Sequence, residues 1–512
     1  MTNQDLEEKI KDFDQIAGIT DSLRQQNKKI VHCHGVFDLV HPGHIKHFQS
    51  AKKFGDVLIV SLTADEFVKR GPGRPIFNQI IRAETLAALS VIDFVVVVNE
   101  ATAENIIKQV RPNFYAKGPD YKEKSKDVTG QISEDEKNIT AIGGKLVITD
   151  DQSFSSSKLI NNYLDVYSPE QRIFLRDFSQ RYTAAIISDE MKKIDNLRIL
   201  VIGDAIIDEY HYCQPLNKSG KEPIITNKYL SEESFAGGVL ATANHVSNIC
   251  NNVSLLTILG RLNSREQFIR ERMHPEIKLN FFYREDAETT TKRRYISDAH
   301  NRKLFEICFF NDNPISEKIE SDVASYLVTN AKSFDLIIIN DFGHGFITPN
   351  LINIICNTAK KLALNVQTNS ANTGFNLITK YPHADMICID EMELRYATHD
   401  RFSNLSKLVS QTQSTMNCEM LLATRGPKGS LSFSKKHGFM ETPALATNVV
   451  DPVGAGDAFF AFAAPCYAAG LPHDMVAFIG NAVGAMAVQI VGNRETVKKI
   501  DLLKFITRLL NQ

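Results

Sequence analysis

The chain has 512 residues, too many for one ordinary hydrophobic core, and at roughly 150 residues per domain it predicts two to four domains. Its 58 basic and 60 acidic residues give a formal net charge of −2, so no overall field would recruit nucleic acid or an anionic membrane. The eight scattered cysteines, the polar N-terminus and the lack of any apolar run of about 18 residues predict a cytoplasmic protein with reduced thiols, no signal peptide and no membrane span.

Residues 1–28 are predicted to form one charged amphipathic helix, because Leu6, Ile10, Phe13 and Ile16 recur at helical spacing. From residue 29 short apolar strands alternate with helices such as 82–89 and 103–110. The predicted strands are 30–33, 57–62, 94–98, 114–117 and 145–149. This alternation predicts an α/β domain, a doubly wound parallel sheet that binds ligands beyond the carboxyl ends of its strands.

The segment GVFD at 35–38, followed by HPGH at 41–44, comes directly after the first of these strands. If a helix begins at Pro42, both histidines face the same side of its N-terminus. The backbone N–H groups of a first helical turn lack internal partners and attract phosphate. We therefore expect an anion site with two histidine donors.

These segments, with GPGRP at 71–75, Arg82, KGPDY at 117–121 and SSSK at 155–158, resemble the cytidylyltransferase-like nucleotidyltransferase family over residues 29–164. Within it they are most similar to the family of bifunctional heptose kinases/heptose-phosphate adenylyltransferases. The resemblance implies in-line attack of a sugar phosphate on the α-phosphorus of a nucleoside triphosphate, chemistry that needs positioning and charge stabilisation. It makes His41 and His44 catalytic. The nucleotide-binding residues that it implies are Gly35, Phe37, Asp38, Arg82, Lys117, Ser155, Ser156 and Ser157.

Several of these residues have a structural alternative. Capping of a helix or turn explains Asp38 as well as contact with nucleotide or metal does, and the serines are also suited to capping a helix predicted from Lys158. Arg82 and Lys117 have the alternative of being ordinary surface cations.

Residues 165–195 are predicted to be a helical linker, and a second domain, 196–512, begins with a strand at 199–204. Its segments resemble the ribokinase-like carbohydrate kinase family of the phosphofructokinase-B type. The segments that carry this resemblance are GDAIID at 203–208, AGG at 236–238, DFGHG at 341–345, DEME at 390–393, TRGPKG at 424–429 and DPVGAGD at 451–457.

The resemblance implies a doubly wound kinase domain with a small β lid near residues 222–229 and a glycine-rich anion hole at a helix start. Asp457 would be the catalytic base that accepts a hydroxyl proton. The other implied residues are Gly454, Ala455 and Gly456 in the anion hole, Thr424, Gly426 and Gly429 at the nucleotide, Asp208, Gly237 and Gly238 at the sugar, and Asp390 and Glu393 ordering Mg²⁺ through water.

Three positions depart from the family pattern. Asp390 stands where an asparagine is usual, Val453 stands where a threonine is common, and the asparagine expected soon after Gly238 does not occur before Asn244. The polar run at 368–372 is assigned no role beyond a loop near the substrate crevice.

Together the two resemblances predict a bifunctional, homo-oligomeric (dimeric) enzyme that requires Mg²⁺. One domain would phosphorylate a sugar or sugar phosphate with ATP, and the other would transfer a nucleotidyl group from ATP or CTP to make an activated sugar such as ADP-heptose. The kinase half comes second here and first in the heptose enzymes. The alternative is therefore a cytidylyltransferase making a CDP-activated sugar or polyol, with a kinase-like domain that acts on a different sugar or serves as a non-catalytic sensing or assembly domain.

Overall fold

The computed structural model describes residues 3–68, 74–118, 131–150, 167–219, 221–222, 224–298 and 302–511. The chain forms two compact units, Met1–Ser188 with Ile500–Gln512, and Asp189–Lys499. The C-terminal residues therefore group with the first unit, whereas the sequence placed them in a kinase domain reaching residue 512. One reason is that buried Arg508 donates a hydrogen bond to the hydroxyl of Tyr167 in the first unit, at 3.3 Å.

The described residues of the first unit form six strands and several helices. Its helices are α1 (Asn3–Lys9), α2 (Phe13–Gln25), α3 (Pro42–Lys52), α4 (Gln79–Ala87), α5 (Glu104–Val110), α6 (Gln131–Ala141), α7 (Pro169–Arg181) and, at the unit boundary, α8 (Ala184–Met191). Its strands are β1 (Ile10–Lys11), β2 (Ile30–Gly35), β3 (Val57–Thr63), β4 (Phe94–Val98), β5 (Phe114–Lys117) and β6 (Lys145–Ile148).

The six strands form one parallel sheet in the order β1-β4-β3-β2-β5-β6. The strand order reverses at β2, so a crevice opens between the carboxyl ends of β2 and β5. Both faces of the sheet are covered: Leu58 and Val60 of β3 pack with Phe48 on one face, while Ile59 packs with Ile106 on the other. The predicted α/β class is confirmed, and the GVFD segment leaves β2 at the crevice.

The single helix predicted for residues 1–28 is wrong. The chain forms α1 and α2, and between them Ile10 and Lys11 pair with Val95 and Val96 at the edge of the sheet. Asp12 then caps α2 in a capping box with Gln15. This start signal at Asp12 competes with the continuous apolar periodicity and ends the first helix early.

The second unit is built on a nine-stranded sheet and a four-stranded sheet. Its strands are β7 (Arg198–Gly203), β8 (Ala205–Lys218), β9 (Ile225–Gly238), β10 (Asn252–Gly260), β11 (Lys278–Arg284), β12 (Thr291–Ser297), β13 (Arg302–Phe309), β14 (Leu336–Asp341), β15 (Leu362–Val366), β16 (Met386–Asp390), β17 (Met420–Thr424), β18 (Ser430–Ser434) and β19 (Gly438–Thr442). Its helices are α9 (Val239–Ser247), α10 (Glu266–Arg272), α11 (Glu317–Asn330), α12 (Pro349–Thr358), α13 (Glu391–Thr398), α14 (Leu405–Thr415), α15 (Ala455–Ala468) and α16 (His473–Ala487); α17 (Lys499–Leu510) follows at the boundary.

The large sheet has the order β11-β10-β7-β14-β15-β16-β17-β18-β19 and is parallel from β11 to β17, with β18 and β19 antiparallel. The order reverses at β7 and β14, so the expected crevice lies there. The smaller sheet, β13-β12-β8-β9, contains the predicted β lid region. No helix of the described segments is long and apolar enough to cross a membrane.

Strand β14 lies in the middle of the large sheet, and its side chains are buried on both faces. Ile339 packs with Val323 and Leu327 of α11 in the largest described core cluster. We expect Ile339→Ala to destabilise the second unit by about 3 kcal/mol through lost contacts and a residual cavity. Urea unfolding followed by circular dichroism measures this. The control is Val328→Ala on the same helix, which is 60% exposed; equal losses in both variants would contradict the assignment of Ile339 to the core.

Candidate active sites

The two motif histidines lie together at the start of α3 in the first unit. His41 is the N-cap, and its Nδ1 accepts a hydrogen bond from the backbone N–H of Gly43 at 3.1 Å. Because Nδ1 is an acceptor, neutral His41 carries its proton on Nε2. The ring of His44 stacks on that of His41, with centroids 3.9 Å apart. The predicted arrangement, two imidazoles on one side of a helix N-terminus, is present.

Phe37, which was predicted to bind nucleotide, has a buried ring that packs against His44. It contacts His44 edge-on with centroids 5.4 Å apart and packs on Phe48 at 5.2 Å. Its φ of +49° is in the left-handed region, so the turn after β2 is backbone that packing holds in place. A Cβ on Gly35 would lie 3.0 Å from the Phe37 ring. Gly35 therefore permits this packing, and both residues shape the loop.

Arg82, which was predicted to bind phosphate, makes its described contacts with groups of the protein. Its guanidinium is 1% exposed and donates hydrogen bonds to the carbonyls of Phe77 (3.0 Å), Val36 (2.5 Å) and Thr63 (2.9 Å). It also pairs with Asp65 at 2.6 Å. The guanidinium has five N–H donors in all, so these contacts occupy most of them. Arg82 therefore links the turn after β2, the end of β3 and the segment before α4, and its role as a phosphate ligand stays a prediction.

Asp38, predicted at the nucleotide, is likewise engaged with the protein. Oδ1 accepts the backbone N–H groups of Ile76 (2.6 Å) and Phe77 (3.2 Å), and Oδ2 pairs with Arg74 at 3.1 Å. Both charged side chains are about 5% exposed. The capping alternative is therefore the one that the contacts support, and Asp38 fixes the loop that follows the GPGR segment, most of which lies outside the described residues.

Lys117 lies at the carboxyl end of β5, the strand that pairs with β2. Its ammonium pairs with Asp135 at 2.9 Å and lies 5.0 Å from the centroid of the Tyr115 ring. Burial, aided by the charge of Lys117, lowers the pKa of His32 to about 3. The paired lysine thus provides a buried cation beside the crevice. Ser155, Ser156 and Ser157, also predicted at the nucleotide, lie outside the described residues.

In the second unit Asp457 lies in the first turn of α15 and is 7% exposed. Its Oδ1 accepts hydrogen bonds from Gln367 Nε2 at 2.7 Å and from Asn340 Nδ2 at 3.3 Å. Burial raises the pKa of Asp457 to about 7, the Gln367 hydrogen bond and Lys292 oppose this, and Asp208 adds to it. A carboxyl with this pKa is suited to accepting a proton near neutral pH.

The glycine-rich turn before Asp457 needs its small residues. Gly454 has φ of +82°, and a Cβ there would overlap Oδ1 of Asn493. A Cβ on Gly456 would meet nothing within 4 Å, so open space borders the first turn of α15. Ala455, at the first helical position, donates its N–H to the carbonyl of Pro452 at 3.3 Å, and the next N–H groups of the first turn have no partner within an α-helix. The anion hole predicted at 454–456 would lie at this helix start.

The predicted metal residues form a capping box at the start of α13. Asp390 Oδ1 accepts the N–H of Met392 at 2.8 Å, and Glu393 accepts those of Asp390 and Thr368, both at 3.0 Å. Burial raises the pKa of Glu393 to about 7 and that of Asp390 above its usual range. The described residues contain no group of three potential metal ligands. Each carboxylate oxygen keeps a second lone pair, so the pair fits a hydrated Mg²⁺ held through water.

The predicted sugar residues lie in the small sheet, at the start of β8 and the end of β9. Asp208 pairs with Arg294 of β12, which also pairs with Glu306 at 2.7 Å. A Cβ on Gly237 would overlap Asp208 Oδ2, and Gly238 has φ of +56° before α9. The structure thus brings these three residues together in the small sheet, with Asp208 already paired to Arg294 of β12.

At the predicted nucleotide segment, Thr424 ends β17 in register with Asp390 of β16. Gly426 and Gly429 both have positive φ, and a Cβ on Gly429 would overlap the carbonyl oxygen of Thr442. The segment therefore turns tightly beside the capping box of α13. Asn244, which comes too late in the sequence to contact the sugar, bonds the backbone of Arg272 and His274 instead.

Three residues with a direct place in this site were not predicted: Gln367, Asn340 and Asp451. The first two are the amide donors to Asp457. Asp451 accepts Lys303 Nζ and Tyr210 OH, each at 2.7 Å, and the N–H groups of Val453 and Gly492, so it holds the loop leading into the anion hole. Burial raises the pKa of Asp451, but these hydrogen bonds outweigh burial and keep the pKa below its usual value. Asn340 and Gln367 could have been found from their position in the sequence, because both are polar residues at the carboxyl ends of apolar strands.

A buried carboxylate at a glycine-rich helix start, beside a β lid and an acidic capping box, defines the second unit as an α/β phosphotransferase. The family model described as pfkB family carbohydrate kinase matches residues 196–500. That match covers more than half of the chain, and the protein belongs to this family of carbohydrate kinases. The model described as Cytidylyltransferase-like matches residues 32–162, which include the stacked histidines.

Among curated proteins the chain is similar to Bifunctional protein HldE from a Nitratiruptor species, with 44% identity over 142 residues, 27% of this chain and 30% of that protein. It is 36% identical over 171 residues to Bifunctional protein HldE from Geobacter metallireducens, 33% of this chain and 34% of that protein. The chain thus spans about a third of the length of these relatives.

Among solved structures the chain is similar to phosphofructokinase-2 from Escherichia coli in complex with substrates and products, at 11% identity and a TM-score of 0.51. The match covers 61% of this chain and 99% of that one. At this identity the likeness shows the fold alone.

Because the buried guanidinium of Arg82 contacts four acceptors of the protein, we expect Arg82→Lys to destabilise the first unit by about 3 kcal/mol, since lysine cannot reach all four. Hydrogen exchange at the amides of Ile30–Gly35 measures the loss. Arg176→Lys, at an exposed arginine of α7, is the matched control and should change little. Full amide protection in Arg82→Lys, combined with weakened nucleotide binding, would instead restore the phosphate-ligand assignment.

Proposed function

We propose that the protein is a bifunctional enzyme that phosphorylates a sugar or sugar phosphate with ATP and then transfers a nucleotidyl group to a sugar phosphate, with release of pyrophosphate. The product would be a nucleotide-activated sugar, with ADP-heptose as the leading candidate. The observation that carries the kinase half is buried Asp457 beside the open first turn of α15. For the second activity it is the stacked His41 and His44 at the start of α3.

In the phosphoryl transfer, Asp457 would accept the proton of the attacking sugar hydroxyl as the new O–P bond forms and ADP leaves. The N–H groups of Gly454 and Gly456 would bind the transferred phosphoryl group, because its charge is spread over oxygens that would face the helix start. Ala455, whose N–H donates to the carbonyl of Pro452, would hold the turn in place. Mg²⁺, held through water by Asp390 and Glu393, would supply charge neutralisation on the ATP phosphates. Asp208 and the glycines beside it would bound the sugar pocket.

In the nucleotidyl transfer, a phosphate oxygen of the sugar phosphate would attack the α-phosphorus while the bond to pyrophosphate breaks. This nucleophile is already an anion, so the site needs donors rather than a strong base. His41 Nε2–H and the imidazole of His44 would stabilise the charge that develops at the α-phosphate and leaving pyrophosphate. Lys117 would add a cation on the opposite side of the crevice.

The name of these relatives, Bifunctional protein HldE, supports two activities on one chain. We infer that the protein works in the cytoplasm, in keeping with its eight free cysteines. The expected dimer and the choice between ATP and CTP as nucleotidyl donor stay predictions.

A pyrophosphate-release screen of ATP, CTP, GTP and UTP against sugar phosphates that include heptose 1-phosphate tests the proposal. Signal with ATP and heptose 1-phosphate is the expected result; signal with CTP and another substrate would instead support the CDP-sugar or CDP-polyol alternative.

We expect His44→Ala to reduce pyrophosphate release at least about 100-fold while phosphorylation persists. We expect Asp457→Asn to reduce phosphorylation by a similar factor while pyrophosphate release persists. Loss of both activities in either folded variant would show that the assignment of one reaction to each unit is wrong. Unchanged ATP consumption in Asp457→Asn would show that the kinase assignment is wrong.

The phosphorylation rate should rise with pH, because the proton acceptor Asp457 must be ionised and burial raises its pKa to about 7. Below that value the neutral form dominates, and kcat should fall about tenfold for each unit of pH. The measurement is kcat for phosphorylation between about pH 5 and pH 8. Pyrophosphate release serves as the internal control, since Asp457 takes no part in it. A phosphorylation rate that stays constant through neutral pH would contradict this role for Asp457.

A further inference from the structure

The side chain of Gln367, the residue directly after β15, lies between two oxygen atoms of the second unit. Its Nε2 is 2.7 Å from Asn365 Oδ1 and 2.7 Å from Asp457 Oδ1. On its other side, Asn365 donates from Nδ2 to the backbone carbonyl of Cys388 at 2.9 Å. These contacts form a chain of hydrogen bonds from β16 through β15 to the first turn of α15.

These hydrogen bonds can run in only one donor-to-acceptor direction. Because the Asn365 nitrogen faces a carbonyl, the Asn365 oxygen must face Gln367, and that oxygen only accepts. The atom of Gln367 at this position is therefore its nitrogen, which has two N–H groups and donates one to Asn365 and one to Asp457. Asn340 Nδ2 approaches the same Oδ1 of Asp457 at 3.3 Å. Both amides thus converge on one carboxylate oxygen.

We propose that Gln367 is a positioning residue for phosphoryl transfer, whose amide fixes Asp457 through Oδ1 and so assigns Oδ2 as the oxygen that accepts the sugar proton. The inference rests on the proposed phosphorylation reaction. Gln367 touches neither substrate nor the reacting atoms in this scheme, and it acts by holding the carboxylate in one orientation and in its ionised form.

Electrostatics around Asp457 make this contact important. Asp208 of β8 and Glu393 of α13 place negative charge near it, and Lys292 of β12 is the cation that opposes them. Burial is the largest influence and favours the protonated form, while the Gln367 hydrogen bond is the first of the opposing contributions. Removal of this donor leaves burial and the two carboxylates less opposed.

The backbone around Gln367 is suited to holding its side chain still. The next residue, Thr368, donates its N–H to Glu393, and the following loop is tied down by Asn369 and Asn372, whose amides bond the carbonyl of Phe342 at 3.0 and 2.8 Å. The polar run at 368–372, which had no clear role in the sequence, thus anchors the end of β15. A rigid support of this kind keeps a catalytic group within the narrow geometry it needs.

The test compares Gln367→Met, which keeps the length of the side chain and removes the donor, with the full-length wild-type protein. We expect the pH below which kcat for phosphorylation falls to be higher by about one unit in Gln367→Met. At acidic pH kcat should be about tenfold lower than in the wild type, with little change in the KM for ATP. Raising the pH should restore kcat. Thr373→Val is the control, because the hydroxyl of Thr373 donates to the carbonyl of Asn369 within the same loop; its profile should match wild type.

An acid limb that stays at the wild-type pH in folded Gln367→Met would overturn the proposal, as would an equal shift in Thr373→Val. A second readout works without substrate. Difference infrared spectroscopy follows the protonated carboxyl that disappears in Asp457→Asn, and its titration midpoint should be about one unit higher in Gln367→Met. If the wild type phosphorylates no sugar, the proposed function fails; an unchanged infrared midpoint refutes the positioning role by itself.

Discussion

The arrangement of the second unit depends on a carboxylate that has been removed from water. Asp457 is almost fully buried, and burial alone would keep it protonated. The structure opposes burial with amide donors that come from the carboxyl ends of two central strands, β14 and β15. The proposed proton acceptor is therefore hydrogen-bonded to the sheet itself, and these bonds oppose the rise in pKa that burial causes.

The first unit solves a related problem with different groups. Nucleotidyl transfer starts from a phosphate that is already ionised, so its site needs hydrogen-bond donors and no buried base. At the start of α3 the cap position is taken by His41, which satisfies a backbone N–H with Nδ1 and keeps its own proton on Nε2. In the proposed reactions both units would bind phosphate at a helix N-terminus, and the residue type in the first turn reflects the proton chemistry of each reaction.

Much of the fold could be predicted from the sequence, because apolar strands such as β4 and β5 have unambiguous patterns. Both strands begin and end at the predicted residues. Site geometry was harder to predict where a side chain acts over a long sequence distance. Arg82 and Asp38 have the residue types of phosphate and metal ligands, yet their partners are backbone groups of distant loops, which no local spacing reveals. Gln367 was missed for the same reason, since its partner Asp457 is remote in the chain.

The departure at Asp390 shows how local structure can make an unusual residue acceptable. An aspartate in place of asparagine adds negative charge beside Glu393, and this charge adds to burial in raising the pKa of Glu393. Both residues, however, accept backbone N–H groups at the start of α13, where the helix dipole favours negative charge. Aspartate and asparagine cap helices about equally well, so the substitution retains the cap. Its added charge is then available to a hydrated cation, which explains why the exchange is compatible with the same proposed role.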